Sequence, residues 1–225
     1  MMDNTVYTKR YSAPPWNRRE ILRYAGAKET TEEVSALLED CLAEAEGVLN
    51  YQLCYARFPV REEDGLLDLG FARINSDHLR KNLCGCSEIV LFGATVGLGM
   101  DRAITRYGKL SPARALMFQA IGAERIEALC DAFCDELSRE VGESGMSVRP
   151  RFSPGYGDVP LELQRDIFRV LDCARKIGLT LNDSLLMTPT KSVTALVGVG
   201  KSLECAEKVD CSACKKEDCL YRRNL

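Results

Sequence analysis

The spacing of apolar residues changes period several times along the chain, and each change predicts an element. Between residues 30 and 50, Val34, Leu37, Leu38, Cys41, Leu42, Ala45, Val48 and Leu49 recur at helical intervals behind a Thr30/Glu33 capping-box spacing. This predicts an amphipathic helix with Cys41 on its core stripe. Residues 17–28 predict a shorter helix stopped at Gly26. Residues 51–60 and 66–74 alternate as strands do, with the charged REEDG between them as a turn. A short helix capped by Ser76 and a buried strand over residues 87–95 follow, and GATVGLG (93–99) then reads as a turn.

Residues 111–145 predict one or two amphipathic helices with a break near Gly122, their apolar face formed by Ile126, Leu129, Cys130, Phe133 and Leu137. Residues 160–177 carry the full set of helix signals: Asp158 in cap position, Pro160 in the first turn, a Leu163/Ile167/Leu171/Ala174 face and Gly178 at the end. Two strand-like runs, DSLLM and SVTALVGV, come next. Helices and strands mix without regular alternation, which predicts an α+β fold rather than a doubly wound parallel sheet. A composition shift near Lys201 divides the chain into a domain of residues 1–200 and a cysteine-rich, metal-binding tail of residues 201–225.

Composition narrows the function classes. A formal net charge of −3 without a basic run argues against nucleic acid. The longest apolar stretch, residues 89–100, holds three glycines and is about half the length a membrane span needs. The N-terminus lacks an apolar signal region, so the chain is expected to be cytoplasmic. A single histidine, His78, excludes three-histidine zinc sites and reads as a surface residue. Eleven cysteines in a chain expected to remain in the cytoplasm point to thiols or metal ligands rather than disulfides.

Three stretches carry candidate chemistry. ALVGVGKS (195–202) has the relaxed spacing of a phosphate loop, but too little chain follows it to build the rest of a nucleotide site. The tail places Cys205, Cys211, Cys214 and Cys219 in a C-x5-C-x2-C-x4-C pattern. Four thiolates so spaced can converge on one centre, and the spacing fits zinc or a [4Fe-4S] cluster equally. Cys84 and Cys86, in CGC, form a weaker pair. RPRFSPGYGDVP (149–160) restricts its backbone with three prolines and two glycines beside two arginines. It predicts a rigid turn feeding a helix N-terminus, where Arg151 can clamp a carboxylate or a phosphate, Gly155 permits close backbone approach and Tyr156 offers a flat face.

Arg151-Phe-Ser-Pro154-Gly155-Tyr156 resembles the Arg-x-x-x-Gly-Tyr signature of the S-adenosylmethionine-binding activation (reactivation) domain of cobalamin-dependent methionine synthase. SLLMTPTKSVTAL is similar to that family's downstream Met-x-Pro and Ser-Val-Ser, and EILRYAGAK and VLFGATVG resemble segments of its free-standing members. The resemblance covers about residues 16–200. It implies a C-shaped α+β domain with a twisted antiparallel sheet flanked by helices. It also implies that Arg151 holds the carboxylate of S-adenosylmethionine, that Pro154, Gly155 and Tyr156 shape the pocket, and that Asp131 meets the ammonium group. Gly157 departs from the family's usual proline, and Ala195-Leu196 from its glycine and aromatic.

The function so implied is reductive reactivation, in a methyltransferase system, of a cobalamin-dependent methionine synthase or a related corrinoid methyltransferase. S-adenosylmethionine would serve as methyl donor, with electrons from a donor such as flavodoxin or ferredoxin. His78 lies in SDHLRKNL, which lacks the Asp-x-His-x-x-Gly pattern of corrinoid modules, so the cobalamin is expected on a partner protein acted on in trans. Two other readings compete: a noncatalytic adaptor that docks on a corrinoid protein through a metal-binding tail, and the nucleotide hydrolase suggested by VGVGKS. Binding of S-adenosylmethionine or of nucleotide separates the three.

Overall fold

The computed structural model describes residues 5–27 and 29–201. In chain order the elements are β1 (Tyr7–Arg10), α1 (Arg18–Tyr24), α2 (Glu32–Glu46), β2 (Gln52–Pro59), β3 (Arg61–Glu63), β4 (Leu66–Asp68) and β5 (Arg73–Ile74). They continue with α3 (Asp77–Asn82), β6 (Cys86–Thr95), α4 (Leu98–Leu110), α5 (Pro112–Gly142) and β7 (Ser147–Val148). The last are α6 (Leu163–Leu171), α7 (Cys173–Ile177), β8 (Thr180–Leu181), β9 (Met187–Thr188) and β10 (Ser192–Gly200).

Five strands form an antiparallel sheet in the order β1-β2-β6-β10-β7, with small sheets of β3-β4-β5 and β8-β9 beside it. The central strands β2, β6 and β10 are apolar on both faces because helices cover both. Leu53, Val90, Phe92, Ala94, Ala195, Val197 and Val199 pack with residues of α1, α2, α4 and α5. The alternate positions Cys54, Ala56, Phe58, Ile89, Leu91 and Leu196 pack with residues of α3, α6 and α7. The period-2 alternation of a strand thus feeds two cores rather than one core and solvent. Among the described residues no helix is long and apolar enough to cross a membrane.

The α+β expectation holds, and Cys41 is fully buried as predicted. Several local expectations are corrected. Thr31, not Thr30, caps α2, its side chain accepting from Val34 N at 3.3 Å. REEDG is partly strand: β3 pairs with β4 in a separate sheet, whereas β2 pairs with β1 and β6. GATVGLG does not stay a turn, because α4 starts at Leu98. Gly99 is needed there, since a Cβ would run into the Val48 backbone. α5 runs unbroken through Gly122, where a Cβ would press on Met100 and Lys191 at 2.8–2.9 Å. Close packing, not a helix break, explains that glycine. The expected helix over residues 160–177 is two helices, divided where Asp172 turns left-handed at φ 51°. Asp158 does not cap it. Its carboxylate accepts from Ser76 Oγ and from Asp77 N at 2.7 Å, so it serves α3 instead.

Candidate functional site

The long helix α5 supplies the site's floor. Glu124, Glu127, Asp131 and Asp135 follow one another at spacings of three and four residues, which places them along one helical stripe. The segment ahead of α1 forms the facing wall and is fixed by one buried cation. Arg125, with no exposed surface, pairs in bidentate fashion with Glu124 at 2.5 Å. It also donates to the carbonyls of Pro14 and Pro15 at 2.6 and 2.8 Å, and its guanidinium lies 4.2 Å from the centre of the Trp16 ring. Glu124 accepts from Asn17 N at 3.2 Å. Each side-chain nitrogen and oxygen of this pair thus has a partner, the condition under which a buried charge pair persists. Nearer the sheet, Lys9 and Tyr11 donate to Glu136 at 2.6 and 2.5 Å and extend the same seam.

Between wall and floor lies a cleft of about 490 Å³, lined by Pro14, Pro15, Asn17, Tyr24 and the carboxylates of Glu20, Glu124, Glu127, Asp131 and Asp135, among others. Glu20, Glu124, Glu127 and Asp131 pair with Arg23, Arg125 and Arg151, and Asp135 is the carboxylate of the cleft with no ion pair among the described residues, so a cationic occupant suits the Asp135 end.

The 151–158 turn packs against the same helix. It is anchored to the sheet where Phe152 and Leu196 exchange both backbone hydrogen bonds at 2.9 Å. From this anchor Arg151 reaches α5: its Nη1 donates to Asp131 Oδ1 at 2.5 Å, and its Nη2 donates to Glu127. Burial works against the Arg151 charge. The hydrogen bond to Asp131 and the nearby Glu127 outweigh burial and raise its pKa above the ordinary guanidinium value. Beneath it, burial pushes the thiols of Cys130 and Cys134 up, so neither is a thiolate at neutral pH.

Arg151 and Asp131, predicted from segments 20 residues apart, are thus brought into contact. Pro154 is buried and Gly155 has a φ of +84°, so the turn has the rigidity its composition predicts. Pro154, Gly155 and Tyr156 do not line the cleft between α1 and α5. Tyr156 is 70% exposed, its ring centre 6.1 Å from that of Phe152 in an edge-on arrangement. Gly157 has a φ of +56°, which proline cannot adopt, and a side chain there would strike the His78 ring. His78 itself is exposed on α3, as expected.

ALVGVGKS does not form a phosphate loop, as its short downstream chain led us to expect: residues 195–200 are extended and buried inside β10. Gly198 and Gly200 serve close packing against Cys86, Arg149 and the Gly85 backbone. Arg149 is 2% exposed, with Nη2 donating to Cys84 O at 2.8 Å. Cys205, Cys211, Cys214 and Cys219 lie outside the described residues.

Glu127 and the Glu124–Arg125 pair were not among the predicted site residues. Their signal was the acidic stripe at helical spacing, which also suits an ordinary solvated face.

The model of the family described as "Vitamin B12 dependent methionine synthase, activation domain" matches residues 73–219, a span that includes the cysteines of the tail. Among solved structures, the fold resembles that described as "Crystal Structure of the MetH Reactivation Domain bound to AdoHcy". The likeness has a TM-score of 0.61 and 16% identity, and it covers 86% of this chain and 78% of that one. No match is found among curated proteins. The family match spans well over half of the sequence, and the chain belongs to the vitamin B12-dependent methionine synthase activation-domain family.

Proposed function

We propose that this chain presents S-adenosylmethionine to a cobalamin held by a partner protein and thereby drives that cobalamin's reductive reactivation in trans. Cob(II)alamin on the partner takes one electron from a donor such as flavodoxin or ferredoxin, and the cob(I)alamin formed takes the methyl group, leaving S-adenosylhomocysteine. The observation that carries this reading is the pairing of Arg151 with Asp131 and Glu127 beside a cleft lined by five carboxylates.

The ligand's chemistry fits that donor set. S-adenosylmethionine carries a sulfonium, an ammonium and one carboxylate. Carboxylates suit the two cationic groups, and Arg151 suits the anionic one. Asp131 and Glu127 each take one N–H from a terminal nitrogen of Arg151, and Cys134 lies in hydrogen-bond reach of the same guanidinium; the second N–H of a terminal nitrogen is what the ligand's carboxylate would use. Asp131 then lies within reach of the ammonium while still holding the guanidinium in place. Pro154 and Gly155 keep the turn from collapsing, and Tyr156, exposed outside the cleft, offers its ring to an adenosine that extends beyond it. The methyl donor is held and oriented by this chain, while the electron and the corrinoid arrive with other proteins.

The tail, residues 201–225, is proposed as a separate metal-binding unit through Cys205, Cys211, Cys214 and Cys219, with zinc or a [4Fe-4S] cluster as its centre. AdoHcy, named with the structurally similar MetH domain, is the demethylated counterpart of S-adenosylmethionine and supports this choice of ligand. Calorimetric titration tests it. Saturable binding of S-adenosylmethionine, with or without the corrinoid partner, is expected. No binding in either case would contradict the proposal and favour the docking adaptor.

A further inference from the structure

Two buried thiols face each other on the side of the sheet away from α5. Cys54 of β2 and Cys173, the first residue of α7, have no exposed surface, and their Sγ atoms lie 3.8 Å apart. Gly93, which pairs with Cys54 across the β2–β6 ladder, makes the room for both. A Cβ there would lie 3.2 Å from Cys173 Sγ and 3.7 Å from Cys54 Sγ. α7 covers this pair. It is five residues long and is bounded at both ends by left-handed residues, Asp172 at φ 51° and Gly178 at φ 67°. A single short helix between two such bends can open without the rest of the domain, and its opening uncovers Cys54 and Cys173 together.

We propose that Cys54 and Cys173 close into a reversible internal disulfide, a redox-sensitive lock that fixes α7 to β2. The sulfurs must approach from 3.8 Å to about 2 Å, a distance that side-chain rotation and a small shift of α7 cover. Cys54 is the attacking group. Its hydrogen bond with Cys173 holds its pKa below the ordinary thiol value against the effect of burial, while the same bond and burial push Cys173 up. With a low-molecular-weight disulfide as oxidant, the Cys54 thiolate attacks one of its sulfurs and expels a thiolate, leaving a mixed disulfide. Cys173 then gives up its proton and attacks Cys54 Sγ, expelling the second thiolate. The protein loses two electrons and two protons, and the oxidant leaves as two thiols. The new bond joins residues 119 apart in sequence, so it restricts a long loop of the unfolded chain and stabilises the fold. The carboxylate-lined cleft lies with α1 and α5 on the other face of the sheet, so the lock does not depend on what binds there.

The test uses the full chain, incubated with oxidised glutathione, alkylated after denaturation and digested without reductant. Mass spectrometry is expected to find Cys54 linked to Cys173. The melting temperature should rise by at least about 4 °C over that of the reduced protein and return on addition of dithiothreitol. Cys173→Ala should show no such rise. The peptide map is read on wild type and needs no variant to fold. Full alkylation of both thiols after oxidation, or a link from either to another cysteine or to glutathione alone, overturns the inference. A Cys54–Cys173 bond that leaves the melting temperature unchanged overturns it as a lock.

Discussion

Arg151 Nη1 lies 2.5 Å from Asp131 Oδ1, and this contact ties the proline- and glycine-restricted turn to the middle of α5. Glu127, one turn earlier on the helix, holds the other terminal nitrogen. The guanidinium is thereby fixed before any ligand arrives, so little side-chain entropy remains to be lost on binding.

Arg151→Ala is expected to weaken S-adenosylmethionine binding by about 10- to 150-fold, the equivalent of roughly 1.5–3 kcal/mol for a charged hydrogen bond. Asp131→Asn should weaken it less. The two effects should be non-additive in a double-mutant cycle, because Asp131 acts partly by positioning Arg151. Titration calorimetry on the four proteins measures this, and strict additivity would separate the two residues.

Gly157→Ala should destabilise the turn by roughly 1–3 kcal/mol, from left-handed backbone strain and from crowding against His78. His78→Ala in the same chain should recover the crowding part only. Denaturant unfolding of the single and double variants gives both terms, and no recovery would mean that backbone strain dominates.

Much of this was legible in the sequence. Residues whose pattern comes from one dominant core contact, such as the α2 stripe around Cys41 or the α5 face from Ile126 to Leu137, were placed correctly. The misreadings have a shared physical cause: glycine punctuates a chain in two ways. Gly26 and Gly178 have positive φ just past helix ends, as predicted. Gly99, Gly122, Gly198 and Gly200 are instead places where another segment comes too close for a side chain, and that segment is distant in sequence. Reading the second kind as the first produced a helix break at Gly122, and the same close packing underlies the phosphate-loop-like spacing at Gly198 and Gly200. At the site, the turn's own rigidity was local and readable. The Arg125 staple to Pro14 and Pro15 was not, because it joins segments more than 100 residues apart.

Removing that staple should loosen the cleft wall. Arg125→Ala leaves Glu124 buried and unpaired, and loss of one partner of a buried pair costs about 3–5 kcal/mol. For a domain of this size the melting temperature should fall by roughly 6–20 °C. A thermal melt shifted by less than about 2 °C would show that the N-terminal segment is held by other contacts.

Stability should also fall on the acid side. Glu136 has its pKa lowered by hydrogen bonds from Lys9 and Tyr11. A carboxylate depressed in the folded state contributes stability that is complete above its unfolded pKa of about 4.3 and is lost as pH falls through the lower folded value. Melting temperature should therefore decline as pH drops below about 4.5, and Glu136→Gln should flatten that decline while lowering stability at neutral pH. An identical pH profile in the variant would remove Glu136 from the acid response.

We propose that this chain delivers a methyl group to a corrinoid held by a partner protein. It is tested most directly by mixing the purified protein with a cob(II)alamin-loaded partner, a one-electron reductant and S-adenosylmethionine, and following the visible spectrum. Methylcobalamin should appear only when this chain is present, and more slowly with Arg151→Ala. A spectrum that stays that of cob(II)alamin, or methylation at the same rate without this chain, would contradict the account.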